Sequence, residues 1–374
     1  MQEQISLFDF LEDGDKYKPI VSTDYKWSFK DYPKDKNGLK VFSCFACGGG
    51  STMGYKLAGC EVLGCCEIDE TMNEIYKINH NPKYNYLMDI RDFNKIPDSE
   101  IPKELFDLDI LDGSPPCTTF SMAGQREETW GKIKKFREGQ KEQTLDDLSF
   151  VFIKTVEKLK PKTVIMENVE GLLLGEAFNY VRNIYKKFEK VGYKLNHWLL
   201  KGEFMGVPQT RHRVFFVAIR NDLGINPSEL DMTFNYAPIT YGMIKEGEMR
   251  KLSETSKFYK IAKMATQEDK CIADTRIRLG EKGSAFQTYY VRDNDIVPTQ
   301  RAKPDLIDIE KLAYVSKETI RNAQTFPKDY NFGANTLARI GYICGMSVPP
   351  IMIKRIVTKL IEQGVYDYRI KNKQ

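Results

Sequence analysis

The chain has 374 residues, 41% hydrophobic and 29% charged, which suits a globular protein with one large domain and a smaller one. Lys and Arg outnumber Asp and Glu by 56 to 52, and a net charge of +4 permits a polyanionic partner without demanding one. No apolar run approaches the roughly 18 residues of a membrane span, and the acidic start "MQEQISLFDFLEDGD" lacks the pattern of an export signal, so the expected location is the cytoplasm, with eight reduced cysteines.

Residues 1–37 are polar and aromatic without a clear period and read as an N-terminal extension. From Leu39 the texture changes: "LKVFSCFA" reads as a buried strand, "CGGGSTMG" as a glycine turn and "STMGYKLAG" as a helix start. "CEVLGCCEID" is a second strand, "ETMNEIYKINH" a helix, "YNYLMDIRDF" carries a third strand and "FDLDILDGS" a fourth. The spacing of "DDLSFVFIKTVEKLK" is helical, "PKTVIMENV" is a strand, and "EAFNYVRNIYKKFEKVG" is a helix closing on glycine. "YKLNHWLLKG" and "RVFFVAIR" are further strands. Strands alternating with helices predict an α/β fold, a doubly wound and mostly parallel sheet. From about 222 to 295 the alternation weakens and charge rises, as in an inserted second domain. "GYICGMSVPPIMIKRIVTKLIEQG" is a turn leading into an amphipathic helix.

Four places suggest chemistry. The first is "FSCFACGGGSTMG", where glycines between strand and helix let backbone N–H groups approach a ligand. Nicotinamide, flavin and S-adenosylmethionine enzymes all use such a turn. Glu67, ending the second strand, suits two ribose hydroxyls, and Asp89, ending the third, suits an adenine amino group. Cys44 and Cys47 have the spacing of a zinc pair, but Cys44 sits in an apolar strand and no His pair completes the set, so no metal is expected. The second is "DILDGSPPCTTFSMAG": prolines fix the backbone and aim the Cys117 thiol from a strand end, where ligands of doubly wound sheets bind. The long polar stretch that follows reads as a lid. The third is "VIMENVEGLL", where Glu167 ends a strand at the same edge, placed to donate a proton to a ring nitrogen while a thiolate attacks nearby. The fourth is "GVPQTRHRVFFVAIR", where alternation puts Arg211 and Arg213 on one strand face, suited to a carbonyl oxygen and phosphates.

These motifs, in this order, resemble the DNA (cytosine-5)-methyltransferase family of bacterial or phage type. The likeness covers most of 39–221 and 296–374 and rests on "FACGGGSTMGYKLAG", "GSPPCTTFS", "ENV", "QTRHR", "VPTQ", "QTFP" and "GMSVPP". Cys47 stands where the family usually has glycine, Thr118 where glutamine is common, and Met346 where asparagine is usual. The resemblance implies a catalytic and cofactor-binding domain over 38–221, a target-recognition domain over 222–295, and a 296–374 segment that returns to the catalytic domain. The implied cofactor is S-adenosyl-L-methionine, held by Phe45, Ala46, Cys47, Gly48, Gly49, Gly50, Glu67, Ile68, Asp89, Ile90, Pro116, Leu148, Met346 and Val348. The implied catalytic residues are Cys117, Glu167, Arg211 and Arg213. Ser121, Gln125, Arg126, Gln209, Arg276 and Arg278 would touch double-stranded DNA, the last two within "DTRIRLGEKGSAFQTYYVR". The implied reaction methylates C5 of a flipped-out cytosine through a covalent Cys117–C6 adduct. An RNA-directed cytosine methyltransferase and a DNA-binding protein on a decayed scaffold remain alternatives; the long 222–295 region favours duplex DNA, and the joint presence of Cys117 and Glu167 argues against decay. "QISLF", Gln4 to Phe8, resembles a bacterial sliding-clamp-binding peptide, and a monomer is expected.

Overall fold

Apolar runs too continuous for a half-exposed strand must be covered on both faces, and the structure places them so. The computed structural model describes residues 19–116, 148–175, 177–285, 288–303 and 305–368. Gln4–Phe8, Cys117, Thr118, Ser121, Gln125, Arg126 and the rest of the expected lid lie outside the described residues. The chain divides into two compact units, one drawn from 30–201, 212–232 and 353–374, the other from 1–29, 202–211 and 233–352. These boundaries differ from the contiguous segments read from the sequence. Contiguity cannot reveal that Gln209–Thr210 pairs in parallel with Val297–Pro298, far along the chain.

The larger unit is built on one sheet. Its strands are β1 (Lys40–Cys44), β2 (Glu61–Glu67), β3 (Tyr84–Leu87), β4 (Ile110–Gly113), β5 (Thr163–Val169) and β6 (Tyr193–Lys201), then, beyond β7 (Gln209–Thr210) of the other unit, β8 (His212–Arg220). Their order is β3-β2-β1-β4-β5-β8-β6. Among the described residues β8 is antiparallel to both β5 and β6, and the other pairs of this sheet are parallel. Helices α1 (Gly50–Leu57), α2 (Glu70–His80), α3 (Ile90–Phe93), α4 (Leu148–Leu159) and α5 (Ala177–Lys190) connect the strands. All of β4 and most of β1, β5 and β8 are buried, so the core lies on both sides of the sheet centre. In α5 the buried residues are Ala177, Tyr180, Val181, Ile184 and Phe188, one stripe at helical spacing. Each large apolar side chain so buried contributes about 1.5–3 kcal/mol. The end of the chain belongs to this unit: Tyr366 meets the Thr163 hydroxyl at 3.1 Å, and the Tyr368 hydroxyl donates to Asp109 at 2.9 Å.

The second unit holds the β7–β11 (Val297–Pro298) pair and a four-stranded sheet. That sheet has the order β10 (Tyr289–Val291), β12 (Leu306–Asp308), β13 (Ala313–Tyr314), β9 (Arg250–Lys251). Its helices are α6 (Tyr241–Ile244), α7 (Lys257–Ala262), α8 (Ile272–Arg278), α9 (Lys317–Ala323) and α10 (Leu337–Met346); α11 (Pro350–Glu362) leads back to the first unit. A small core of Leu252, Ile261, Ala262, Ile272, Tyr290 and Ile307 joins α7 and α8 to the sheet. One stretch, Leu337–Glu362, does reach the length and apolarity of a membrane span, correcting the sequence expectation, yet 72% of its most apolar window is buried inside the protein, as in a core helix.

Candidate active site

The chain runs β1 to β2 to β3 outward, then crosses to β4 on the other side of β1. In doubly wound sheets ligands bind at such a reversal, outside the carboxyl ends of the flanking strands, here β1 and β4. The turn after β1 stands at this edge. Phe45 (φ 56°), Cys47 (φ 47°) and Gly49 (φ 83°) are left-handed, and the Gly49 N–H closes the turn on the Ala46 carbonyl at 2.8 Å. The start of α1 is buried at Gly50, Ser51 and Thr52, and no side chain caps its first amides, at the end of a helix that favours negative or polar ligand groups. Glycine suits a left-handed position better than cysteine does, so Cys47 stands there at some cost, and nothing in the structure explains the departure. Cys47→Gly is expected to be about 1–3 kcal/mol more stable than Cys47→Val in urea unfolding, because a β-branched residue is strained there.

Glu67 and Asp89 follow at the next two strand ends. Glu67 is buried; one carboxylate oxygen accepts from the Cys47 N–H at 2.7 Å, the other from the N–H groups of Ile68 and Asp69, both at 2.8 Å. Burial pushes its carboxyl up from the usual range, while these backbone donors oppose the shift. Three of about four acceptor positions are thus filled, leaving capacity for a ligand hydroxyl. Asp89 caps α3, accepting from the Arg91 N–H at 2.8 Å and pairing with its guanidinium at 3.2 Å. Ile68 is half-buried beside Glu67, Pro116 is exposed, and Ile90 and Leu148 sit in the core of the same unit. Met346 and Val348 lie in the second unit, Met346 exposed and Val348 buried. The turn, the two carboxylates and the amides form a donor and acceptor set that fits an adenosine-bearing cofactor.

Beyond β4, "GSPP" runs towards Cys117. Buried Asn168 on β5 donates to the Pro115 carbonyl at 3.2 Å and so ties this turn to the neighbouring strand. One residue earlier, Glu167 meets Arg213 Nε of β8 at 2.9 Å, the two side chains being 12% and 15% exposed. Register explains the meeting: Val169 pairs with Arg213 and Glu167 with Phe215, so Glu167 and Arg213 are diagonal neighbours on one sheet face. The other cysteines nearby are of a different kind. Burial pushes the thiols of Cys44, Cys65 and Cys66 well up and that of Cys60 up to about 12, which keeps them protonated and inert.

Two expectations are corrected. Arg211 does not share a strand with Arg213: β8 begins at His212, and Arg211 groups with the second unit. It is 3% exposed, and its guanidinium donates to the carbonyls of Gln300 and Gly345, at 3.1 and 3.4 Å. Gln209, expected on the DNA side, is fully buried, donating to the Ala323 carbonyl and Gln324 Oε1 at 2.7 Å and accepting from the Gln300 N–H at 3.0 Å. Both brace the second unit internally. Arg276 and Arg278 are committed to Glu281 and Asp269 at 2.9 and 2.8 Å, and the Arg278 contact holds the Asp269 carboxyl down to about 2.

Sequence reading missed Asn168, His80 and Asp112. His80 Nε2 lies 3.2 Å from the Gly48 carbonyl and braces the turn from behind. Asp112 was visible as a charge inside a wholly buried strand, "ILDG". The sheet order and the strand-end acids are those of the S-adenosylmethionine-dependent methyltransferase fold. Residues 39–362 match the model of the C-5 cytosine-specific DNA methylases, and the chain belongs to that family. It is similar to the type II methyltransferase M.FnuDI of Fusobacterium nucleatum, 32% identical over 191 residues, 51% of this chain and 50% of that one. M.NgoPII of Neisseria gonorrhoeae is 31% identical over 197 residues, 52% of this chain and 51% of that one. The chain thus spans about half the length of these curated relatives. In fold it is similar to a Spodoptera frugiperda DNMT2 variant, with a TM-score of 0.60 at 17% identity over 87% of this chain and 100% of that one.

Proposed function

We propose that the protein methylates C5 of a specific cytosine in double-stranded DNA, with S-adenosyl-L-methionine as donor. The carrying observation is the Glu167–Arg213 pair at 2.9 Å, beside the Pro115-Pro116 turn that leads to Cys117. The cytosine is flipped out, because stacking shields its ring faces, at a cost of a few kcal/mol that binding contacts offset. The Cys117 thiolate adds to C6, forming the C–S bond. Glu167 supplies the proton or hydrogen bond at N3, and Arg213 holds O2, so negative charge is relieved and C5 becomes nucleophilic. The cofactor supplies the electrophilic methyl group. Loss of the C5 proton to a base then expels Cys117 as thiolate and restores the aromatic ring.

The turn from Phe45 to Gly50, with Glu67 and Asp89, would hold the cofactor. Residues within 222–295, Arg276 and Arg278 among them, would read the DNA sequence. The same reading places the protein in the cytoplasm as a monomer near DNA. It also gives Gln4–Phe8 to a sliding clamp, an assignment that deletion of residues 1–10 with undiminished clamp pull-down would overturn. The decisive experiment incubates labelled S-adenosylmethionine with duplex DNA and, separately, structured RNA. Nucleoside analysis should return labelled 5-methyldeoxycytidine; label only in RNA, or none in wild type, would sink the proposal.

A further inference from the structure

Asp112 and Ser43 pair in register across β4 and β1, the two strands whose carboxyl ends define the switch point. The Asp112 side chain is buried, the residue being 2% exposed. One carboxylate oxygen accepts from Ser43 Oγ at 2.6 Å, the other from the Tyr55 hydroxyl of α1 at 3.0 Å, and Ser51 of α1 adds a third hydroxyl. Every group bonded to it is neutral, and among the described residues no cation forms an ion pair with it. The other groups that sense its charge are Cys44 on β1 and Tyr76 on α2, both neutral, and Glu167 on β5, whose negative charge Arg213 offsets. Burial, reinforced by Glu167, pushes the Asp112 carboxyl up to about 7, against the pull of the hydroxyls.

A buried carboxylate without a cation is costly to hold charged, and a positive ligand beside it recovers part of that cost. Ser43 stands two residues before the turn assigned to the cofactor, so Asp112 lies beneath that turn. The donor carries a sulfonium charge; once the methyl group has left, the remaining thioether is neutral. Resting on the reading of this edge as the cofactor site, we propose that Asp112 is a specificity-determining residue that favours the positively charged methyl donor over its neutral demethylated product. Product release after each transfer then gains from the lost attraction.

The test is calorimetric binding of S-adenosylmethionine and S-adenosylhomocysteine to the full chain at pH 6 and pH 8.5. The sulfonium charge lowers the pKa of the donor's amino group relative to that of the product, so the ligands' own titration is read from Asp112→Asn, which keeps it and lacks the carboxylate. In the wild type the preference for the sulfonium ligand should grow with pH about 3- to 10-fold more than it does in Asp112→Asn, as Asp112 ionises. Ser43→Ala, which removes one donor to the charged form, should move the transition to higher pH and serves if the Asn variant folds poorly. A wild-type ratio with the same pH dependence as that of Asp112→Asn, or two ligands weakened equally by Asp112→Asn, would show a merely structural anchor and overturn the proposal. Failure of both ligands to bind the wild type would instead overturn the cofactor reading, and this inference with it.

Discussion

Glu167→Gln is expected to lower kcat/KM for DNA methylation by about 10²–10⁴-fold, the usual contribution of a positioned general acid. Glutamine keeps the size of the side chain and an oxygen for Arg213, but it cannot give up a proton at N3. The change should fall on kcat, because the interaction strengthens only as charge develops on the ring. Affinity for S-adenosylhomocysteine should stay within about twofold, since Glu167 lies near the end of β5 whereas the cofactor turn follows β1. Stability should fall by about 1–3 kcal/mol, from weakening a charge-assisted contact whose partners are only 12% and 15% exposed. Steady-state kinetics beside calorimetric binding separates these effects. A variant with wild-type kcat would remove Glu167 from the mechanism, while one that lost cofactor binding would assign it a structural role.

The centre of the sheet was legible because β1, β4 and β8 are apolar runs. The three acids were placed by position alone: Glu67 ends β2, Asp89 lies two residues beyond β3, and Glu167 lies two residues before the end of β5. Arg211 and Gln209 are placed differently from the sequence expectation for a physical reason. Alternation along "QTRHR" is blind to a break between β7 and β8, where the chain passes between units. Nor does a polar side chain announce that its partners are backbone carbonyls at Ala323, Gln300 or Gly345, about 90 to 135 residues away. His80 and Asn168 escaped notice likewise, since what they brace is a carbonyl of another segment. Asp112 differs: an acid in a buried strand is a sequence-level conflict, and such conflicts concentrate at functional or strained sites.

Gly49→Ala is expected to destabilise the larger unit by about 2–5 kcal/mol and to remove most affinity for S-adenosylhomocysteine. Two costs combine. The position has φ 83°, which a side chain rarely adopts, and a Cβ there would stand 2.0 Å from His80 Nε2, 2.4 Å from its Cδ2 and 3.1 Å from Tyr76 Cδ2. Neither ring can yield easily. His80 is 6% exposed, lies 3.2 Å from the Gly48 carbonyl and packs edge-on to Tyr76 at 4.7 Å, and the Tyr76 hydroxyl meets Thr52 at 2.8 Å. Relief must come from the turn, the element proposed to hold the cofactor. Adding His80→Ala removes most of the steric cost and leaves the Tyr76 contact and the backbone cost. The double variant should therefore be at least about 1 kcal/mol more stable than the two single changes predict, and strict additivity in urea unfolding would refute the clash. His80 supplies a pH test of the same packing. Burial lowers its pKa from 6.5 to about 3, so the unfolded chain binds the extra proton between those values. The stabilisation linked to neutral His80 is complete above pH 6.5 and is lost as pH falls towards 3. His80→Gln, which keeps a donor for Gly48, should lose less stability than wild type over that window. Equal acid sensitivity in the two proteins would mean that His80 is not buried behind the turn.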